Sequence, residues 1–201
     1  MTDAPRRATA SDRDVAAEIL VGAFREDPTW AWACPDPALR AEQHRALWRL
    51  FVDGALRHDG VWLNSSGTAT AVWIPPGGTE LSPEQEQHLD DLLDSWSGEA
   101  PSRVRHAVEL FEAAHPHEEP HHYLTLLGTD PAHRGRGLGL ALLAATLARV
   151  DETGTAAYLE ASNSANVPLY ERYGFAPVGS FRLGDDGPEV VTMWRPARSN
   201  D

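Results

Sequence analysis

Residues 129–139 read Thr-Asp-Pro-Ala-His-Arg-Gly-Arg-Gly-Leu-Gly, and residue types at this spacing suit the binding of a phosphate or pyrophosphate. Gly135, Gly137 and Gly139 leave backbone N–H groups uncovered by side chains. Arg134 and Arg136 add fixed positive charge, and a guanidinium matches phosphate oxygens geometrically. An extended apolar run, residues 123–127, leads into this turn, and an apolar-rich helical run, residues 138–150, leads out of it. The order is strand, glycine-rich turn, helix. Unpaired N–H donors and the positive dipole end at the start of a helix complete an anion seat.

The chain contains no lysine, which excludes the Walker pattern G-x-x-x-x-G-K-[ST]. The dinucleotide fingerprint G-x-G-x-x-G does not fit either, because Leu140 stands where a close variant needs its third glycine. Arg134-Gly135-Arg136-Gly137-Leu138-Gly139 instead resembles the pyrophosphate loop Q/R-x-x-G-x-G/A of the GNAT (Gcn5-related) N-acetyltransferases. Downstream, Tyr158-Leu159-Glu160-Ala161-Ser162-Asn163 followed by Tyr170-Glu171-Arg172-Tyr173-Gly174-Phe175 resembles the second signature of that family, a strand followed by N-x(6)-Y-x-x-x-G-F. The two signatures stand in the right order, and the likeness covers residues 123–175, with 190–194 fitting a closing strand. Ala71-Val72-Trp73-Ile74-Pro75-Pro76 and Pro168-Leu169-Tyr170-Glu171-Arg172 are similar to the puromycin N-acetyltransferase branch.

The resemblance implies an α/β fold: a central, mixed, mostly antiparallel twisted sheet of six to seven strands, splayed between strands 4 and 5, with helices on both faces. It implies transfer of the acetyl group of acetyl-CoA to an amine, by direct attack with both substrates bound and no metal. Leu126, Leu127, Gly128 and Thr129 would line the pantetheine arm through main-chain groups. The glycine-rich turn with Leu138 would take the diphosphate, and Asn163 would contact coenzyme A, cap the following helix, or do both. Tyr170 matches the family tyrosine that protonates the departing thiolate, and a phenol with a reference pKa of about 10 carries that proton at neutral pH.

The general base stays open among Glu160, His121, His122 and water. Glu160 falls near the end of the fifth strand, where a carboxylate beside an apolar site has a raised pKa. His121 shares the strand parity of Tyr123 and Thr125, and imidazole transfers protons near neutrality. Asp27, Trp30 and Trp32 are candidate acceptor contacts, since tryptophan faces attract cations and flat ligands. His115, His117, His121 and His122 are too loosely spaced, and too interrupted by proline, to predict a metal site.

The chain has 201 residues, 42% of them hydrophobic, and a net charge of −13. That length and composition fit one well-filled domain over 1–201, with a helical insert at 82–114 too short to build its own core. The acidic balance, with only the 134–136 loop locally basic, disfavours nucleic acid and weakly favours a cationic substrate. No apolar run reaches membrane-spanning length. The N-terminal residues 1–7 carry no apolar segment behind them, and Cys34 is the only cysteine, so a cytoplasmic protein without disulfides is expected. The sequence reading is an acetyl-CoA-dependent transferase acting on a small-molecule amine, such as an antibiotic (an antibiotic-resistance role) or a metabolite. Its alternatives are acetylation of protein N-termini or lysines, and a non-catalytic acyl-CoA-binding module. Monomer and homodimer both remain open.

Periodicity predicts helices over 13–24 and 38–58, a hairpin of 61–63 with 68–73 around Asn64-Ser65-Ser66-Gly67, and two helices within 82–114 divided near Gly98 and Pro101. Ser82-Pro83-Glu84-Gln85 reads as an N-terminal cap.

Overall fold

The computed structural model describes residues 5–198; part of the N-terminal stretch read for a leader lies outside them. Seven strands form one sheet: β1 (Arg6–Arg7), β2 (Val61–Leu63), β3 (Ala69–Ile74), β4 (His121–Thr129), β5 (Ala156–Ala161), β6 (Ala176–Arg182) and β7 (Glu189–Arg195). Their spatial order is β1-β2-β3-β4-β5-β7-β6, and every pairing is antiparallel except β4 with β5. The helices are α1 (Arg13–Phe24), α2 (Pro28–Ala33), α3 (Arg40–Leu56), α4 (Pro83–Asp94), α5 (Ala100–Ala114), α6 (Leu138–Glu152) and α7 (Val167–Glu171).

Strand alternation distributes the core to both faces. In β3, Val72 and Ile74 join Leu20, Leu47 and Val104 in the core beneath α1, α3 and α5. Ala69, Ala71 and Trp73 of the same strand join Leu142, Leu143 and Leu147 of α6 on the opposite face. All six β3 residues are therefore buried, as expected of a strand covered by helices on both sides. Leu143 is fully buried, and each such side chain contributes about 1.5–3 kcal/mol of burial.

The hairpin and the capped helix at Ser82 form where the sequence predicted them. Ser82 accepts from the Gln85 N–H, and Gln85 reaches back to the Ser82 N–H, a reciprocal cap. The second long helix is two residues shorter at each end than the periodic pattern suggests. The helical segment that follows Asn163 is divided into a 3-10 turn at Ser164–Asn166 and the short α7, because Pro168 fits only a first helical turn.

Two irregularities open the sheet. β4 pairs with β5 only from His121 to Leu124, against Ala156 to Leu159; beyond that the strands part. At the same place β4 bulges, since Trp73 faces Leu124 while Val72 faces Leu126. Thr125 is the extra residue, and a bulge of this kind bends a strand and re-aims its side chains.

Candidate active site

Two adjoining cavities lie where β4 and β5 part. The larger, about 620 Å³, runs from the glycine-rich turn along β4; the smaller, about 90 Å³, lies deeper, against α3 and α5. Phe24, Leu127, Asn166 and Tyr170 line both, so Tyr170 stands at their junction.

The larger cavity is built around the start of α6. Gly135 and Gly137 have φ of +77° and +73°, the left-handed region that costs glycine little. Gly137 is the N-cap residue of α6, and no side chain caps the helix there. The amides at the start of α6 thus point at open space among Leu138, Gly139 and Leu140, a seat with positive partial charge. Gly128 and Thr129 of β4 and Asn163 from the far side complete the wall. The Asn163 side chain also accepts from the Ala165 N–H at 3.0 Å, so it caps the following turn and lines the cavity.

The two arginines of the turn behave differently from the sequence expectation of paired charges at the seat. Arg134 lines the cavity, but its guanidinium donates to the carbonyls of Ala23 (2.7 Å) and Gly22 (3.4 Å) at the end of α1. The negative dipole end of that helix attracts it. Arg136 is exposed and lines neither cavity.

Because β4 bulges at Thr125, five consecutive residues, Tyr123 to Leu127, border the smaller cavity; a regular strand would present every second one. Leu126 accordingly borders this cavity and not the larger one. Opposite them stands Glu160 of β5. Burial drives its pKa up to about 8; nearby Tyr123 and Tyr158 phenols oppose the shift, and Glu80 adds to it. The Tyr158 hydroxyl donates to the Ala114 carbonyl at 3.1 Å, and Glu160 Oε1 is sealed from solvent without a hydrogen-bond partner. Glu80 is similarly pushed up to about 7 by burial, with Thr125 opposing and Glu112 adding. The Tyr170 phenol rises to about 12, chiefly through burial and secondarily through Asp27.

Asp27 caps α2, accepting from the N–H groups of Thr29 and Trp30, and lines the larger cavity. Burial pushes its pKa up, and Ser162 with those two N–H groups opposes the shift. Trp30 borders the smaller cavity, edge-on to Trp48 and stacked on Phe111. Trp32 borders neither; its ring lies under the Arg103 guanidinium.

His121 also lies away from the cavities. Its Nδ1–H donates to the Glu119 carbonyl at 2.7 Å, which leaves Nε2 to accept from His115 Nε2 at 3.1 Å. Neutral rings satisfy that arrangement, and burial, with His121 and His117 nearby, holds the His115 pKa down at about 4. His122 pairs weakly with Thr153. Parity placed His121 on the right face of β4, but the loop before the strand captures its ring. Among the described residues no group of three or more His, Cys, Asp or Glu side chains is arranged to hold a metal, and no helix is long and apolar enough to cross a membrane.

The sequence reading missed Glu80, Thr125, Phe111 and Glu112. Val108, Phe111 and Glu112 come from α5 of the insert, which thereby walls the smaller cavity. An amphipathic helix announces a buried face but not which cavity that face borders.

Residues 83–175 match the model of the acetyltransferase (GNAT) family. A mycothiol acetyltransferase from Nocardiopsis dassonvillei is 29% identical over 176 residues, covering 82% of this chain and 51% of its own. One from Salinispora tropica is 51% identical over 55 residues, 25% of this chain and 18% of its own. The chain thus spans about half, or less, of the length of these relatives. Among solved structures, one from Corynebacterium glutamicum described as histone acetyltransferase HPA2 and related acetyltransferase superposes with a TM-score of 0.72, at 29% identity, covering 99% of this chain and 98% of that one. A polyamine N-acetyltransferase of Drosophila melanogaster shares the fold, with a TM-score of 0.63 at 18% identity over 94% and 97%. The matched segment, residues 83–175, holds the parted strands and the glycine-rich turn alike and carries the match to the GNAT acetyltransferase family, and the whole chain shares the fold of a solved acetyltransferase.

Proposed function

We propose that the chain transfers the acetyl group of acetyl-CoA to the amine of a small molecule, with both substrates bound at once. The observation that carries this reading is the position of Tyr170 between an anion-seating cavity and an enclosed, acidic, aromatic one. The diphosphate of the coenzyme would meet the amides at the start of α6. The pantetheine arm would run along β4 from Thr129 to Leu127, pairing with backbone groups that β5 leaves unpaired. The thioester would then lie beside the Tyr170 hydroxyl, with the acceptor in the smaller cavity.

An amine attacks only when neutral. Glu160, whose pKa is raised to about 8, takes the ammonium proton in its ionised form, which becomes the major one above about pH 8. Attack forms the C–N bond as the C–S bond breaks, the thiolate leaves with a proton from Tyr170, and the second proton shed by the new amide nitrogen restores the phenol through solvent. A phenol held protonated to about pH 12 is ready to donate at any working pH. His121 and His122, away from both cavities, are left without a part in this scheme.

Enclosure of the acceptor cavity by α5 favours a small molecule over a protein tail. The test is release of free thiol from acetyl-CoA across a panel of amines, together with calorimetric binding of coenzyme A. Turnover of at least one small amine supports the reading. Coenzyme binding with no turnover of any amine would indicate a binding module instead, and turnover of peptides alone would indicate a protein acetyltransferase.

A further inference from the structure

Glu80 belongs to the loop between β3 and α4, and α3 fixes that loop in place. A Cβ on Gly54 would sit 1.8 Å from the Glu80 carbonyl oxygen, so only glycine lets the loop lie so close. Arg57 and His58 each donate to the Thr79 carbonyl at 3.0 Å, and Leu81 is buried beside them. The Glu80 carboxylate, so positioned, accepts a hydrogen bond from Thr125 Oγ1, the residue that the β4 bulge turns inward.

Around the same cavity stand Glu160, with its sealed and unpartnered Oε1, and Glu112 of α5. Among the described residues, none that lines this cavity is Arg, Lys or His. Most of the remaining wall is aromatic or aliphatic, with Trp30, Trp48, Phe51 and Phe111. A cation entering this confined, low-dielectric space draws the carboxyl groups into their charged form and pairs with them, and the aromatic faces add to that preference. A guest carrying its own carboxylate would find acidic groups and no cation to pair with, which is costly to bury.

We infer that Glu80 determines the acceptor class, and that the cavity takes amines with an apolar body and no carboxylate of their own. This rests on the acetyl-transfer reading of the same site and adds to it a residue and a selection rule. Glu80 would hold the ammonium form during capture, while Glu160 serves the proton transfer. Discrimination then arises as much from repulsion of the wrong guest as from attraction of the right one.

Matched pairs test the rule: phenethylamine against phenylalanine, and pentylamine against norleucine, by thiol release and by calorimetric binding with coenzyme A present. The expected kcat/KM preference for each amine over its amino acid is about 100-fold or more, the scale on which a misplaced polar group is rejected. Glu80→Gln should lower kcat/KM for the amines about tenfold, mainly through KM, and narrow each preference, with coenzyme A affinity unchanged. Thr125→Val, which removes only the hydrogen bond to Glu80, should shift the same ratios in the same direction and guards against misfolding of the first variant. Equal use of phenylalanine and phenethylamine, a Glu80→Gln preference equal to wild type, or no binding of either amine would overturn the rule. Selective amine binding without thiol release would sustain the rule and overturn acetyl transfer.

Discussion

Ser162 Oγ donates to Asp27 Oδ2 at 2.8 Å, joining the end of β5 to the start of α2. Thr29 Oγ1 closes the same junction by donating to the Ser162 carbonyl, also at 2.8 Å. The joint lies two residues beyond Glu160, and Asp27 is close enough to act on the Tyr170 phenol. Ser162→Ala should cost about 1 kcal/mol of stability, the net value of one such hydrogen bond, read from chemical denaturation. Asp27→Ala, which also removes the cap of α2, should cost about 2–3 kcal/mol. Equal costs for the two would mean that the cap contributes nothing.

Tyr170→Phe removes one oxygen and keeps the ring packed on Phe175, 6.2 Å between centroids. The acetylation rate should fall about 10- to 100-fold, up to the lower bound of about 100-fold usual for a general acid. Coenzyme A affinity should stay at the wild-type value. An unchanged rate would assign protonation of the thiolate to water.

Gly137→Val places a branched side chain at φ +73°, a strain of about 1–3 kcal/mol, on the residue that opens α6 toward the larger cavity. Coenzyme A affinity should fall at least about tenfold, with a smaller drop in thermal stability. Wild-type affinity in a folded variant would place the diphosphate elsewhere.

Arg195 is 2% exposed and grips both carboxylate oxygens of Asp151, at 2.6 and 2.8 Å, while its Nε donates to the Tyr173 carbonyl. This pair holds β7, the end of α6 and the turn after α7 together. Asp151→Ala should cost about 3–5 kcal/mol, because it strands a buried guanidinium. Asp151→Ala combined with Arg195→Met should recover part of that loss in the same denaturation measurement.

Stability should also depend on pH through the smaller cavity. Glu80 and Glu160 keep their protons in the folded protein to about pH 7 and about pH 8, against an ordinary value of 4.5. Between those values the folded state binds more protons than the unfolded chain, so stability present at low pH is lost as pH rises. His44 and His115, held down at about 4 mainly by burial, act oppositely, adding stability as pH rises from about 4 to 6.5. Above pH 6.5, of these four groups only the glutamates still titrate. The melting temperature should therefore fall from pH 6.5 to 8.5, and the fall should be smaller in Glu80→Gln with Glu160→Gln. Equal slopes in the two proteins would contradict the buried carboxyls.

The sequence was most informative where chemistry depends on local backbone. The left-handed glycines, the start of α6 and the Asn163 to Tyr170 spacing were legible because each is fixed within a few residues. His121 shows where that ends: strand parity gave its face, but a carbonyl two residues earlier decided its ring direction. Arg134 makes the same point, since the carbonyls that hold it lie more than 100 residues away at the end of α1. Glu80 was illegible because its position comes from a glycine on a different helix and from a bulge whose only trace in the sequence is one surplus residue. Trp32 followed the usual fate of an exposed-sounding aromatic and found an arginine.

That surplus residue has a mechanical consequence. Past Leu124, β4 has an edge that β5 leaves unpaired, with main-chain donors and acceptors open to an amide-bearing guest. A guest paired along it would bridge the two halves of the sheet as a temporary rung. Occupancy should slow amide hydrogen exchange along residues 125–129 and stiffen the molecule across its middle, so the reactant itself completes the scaffold on which it reacts.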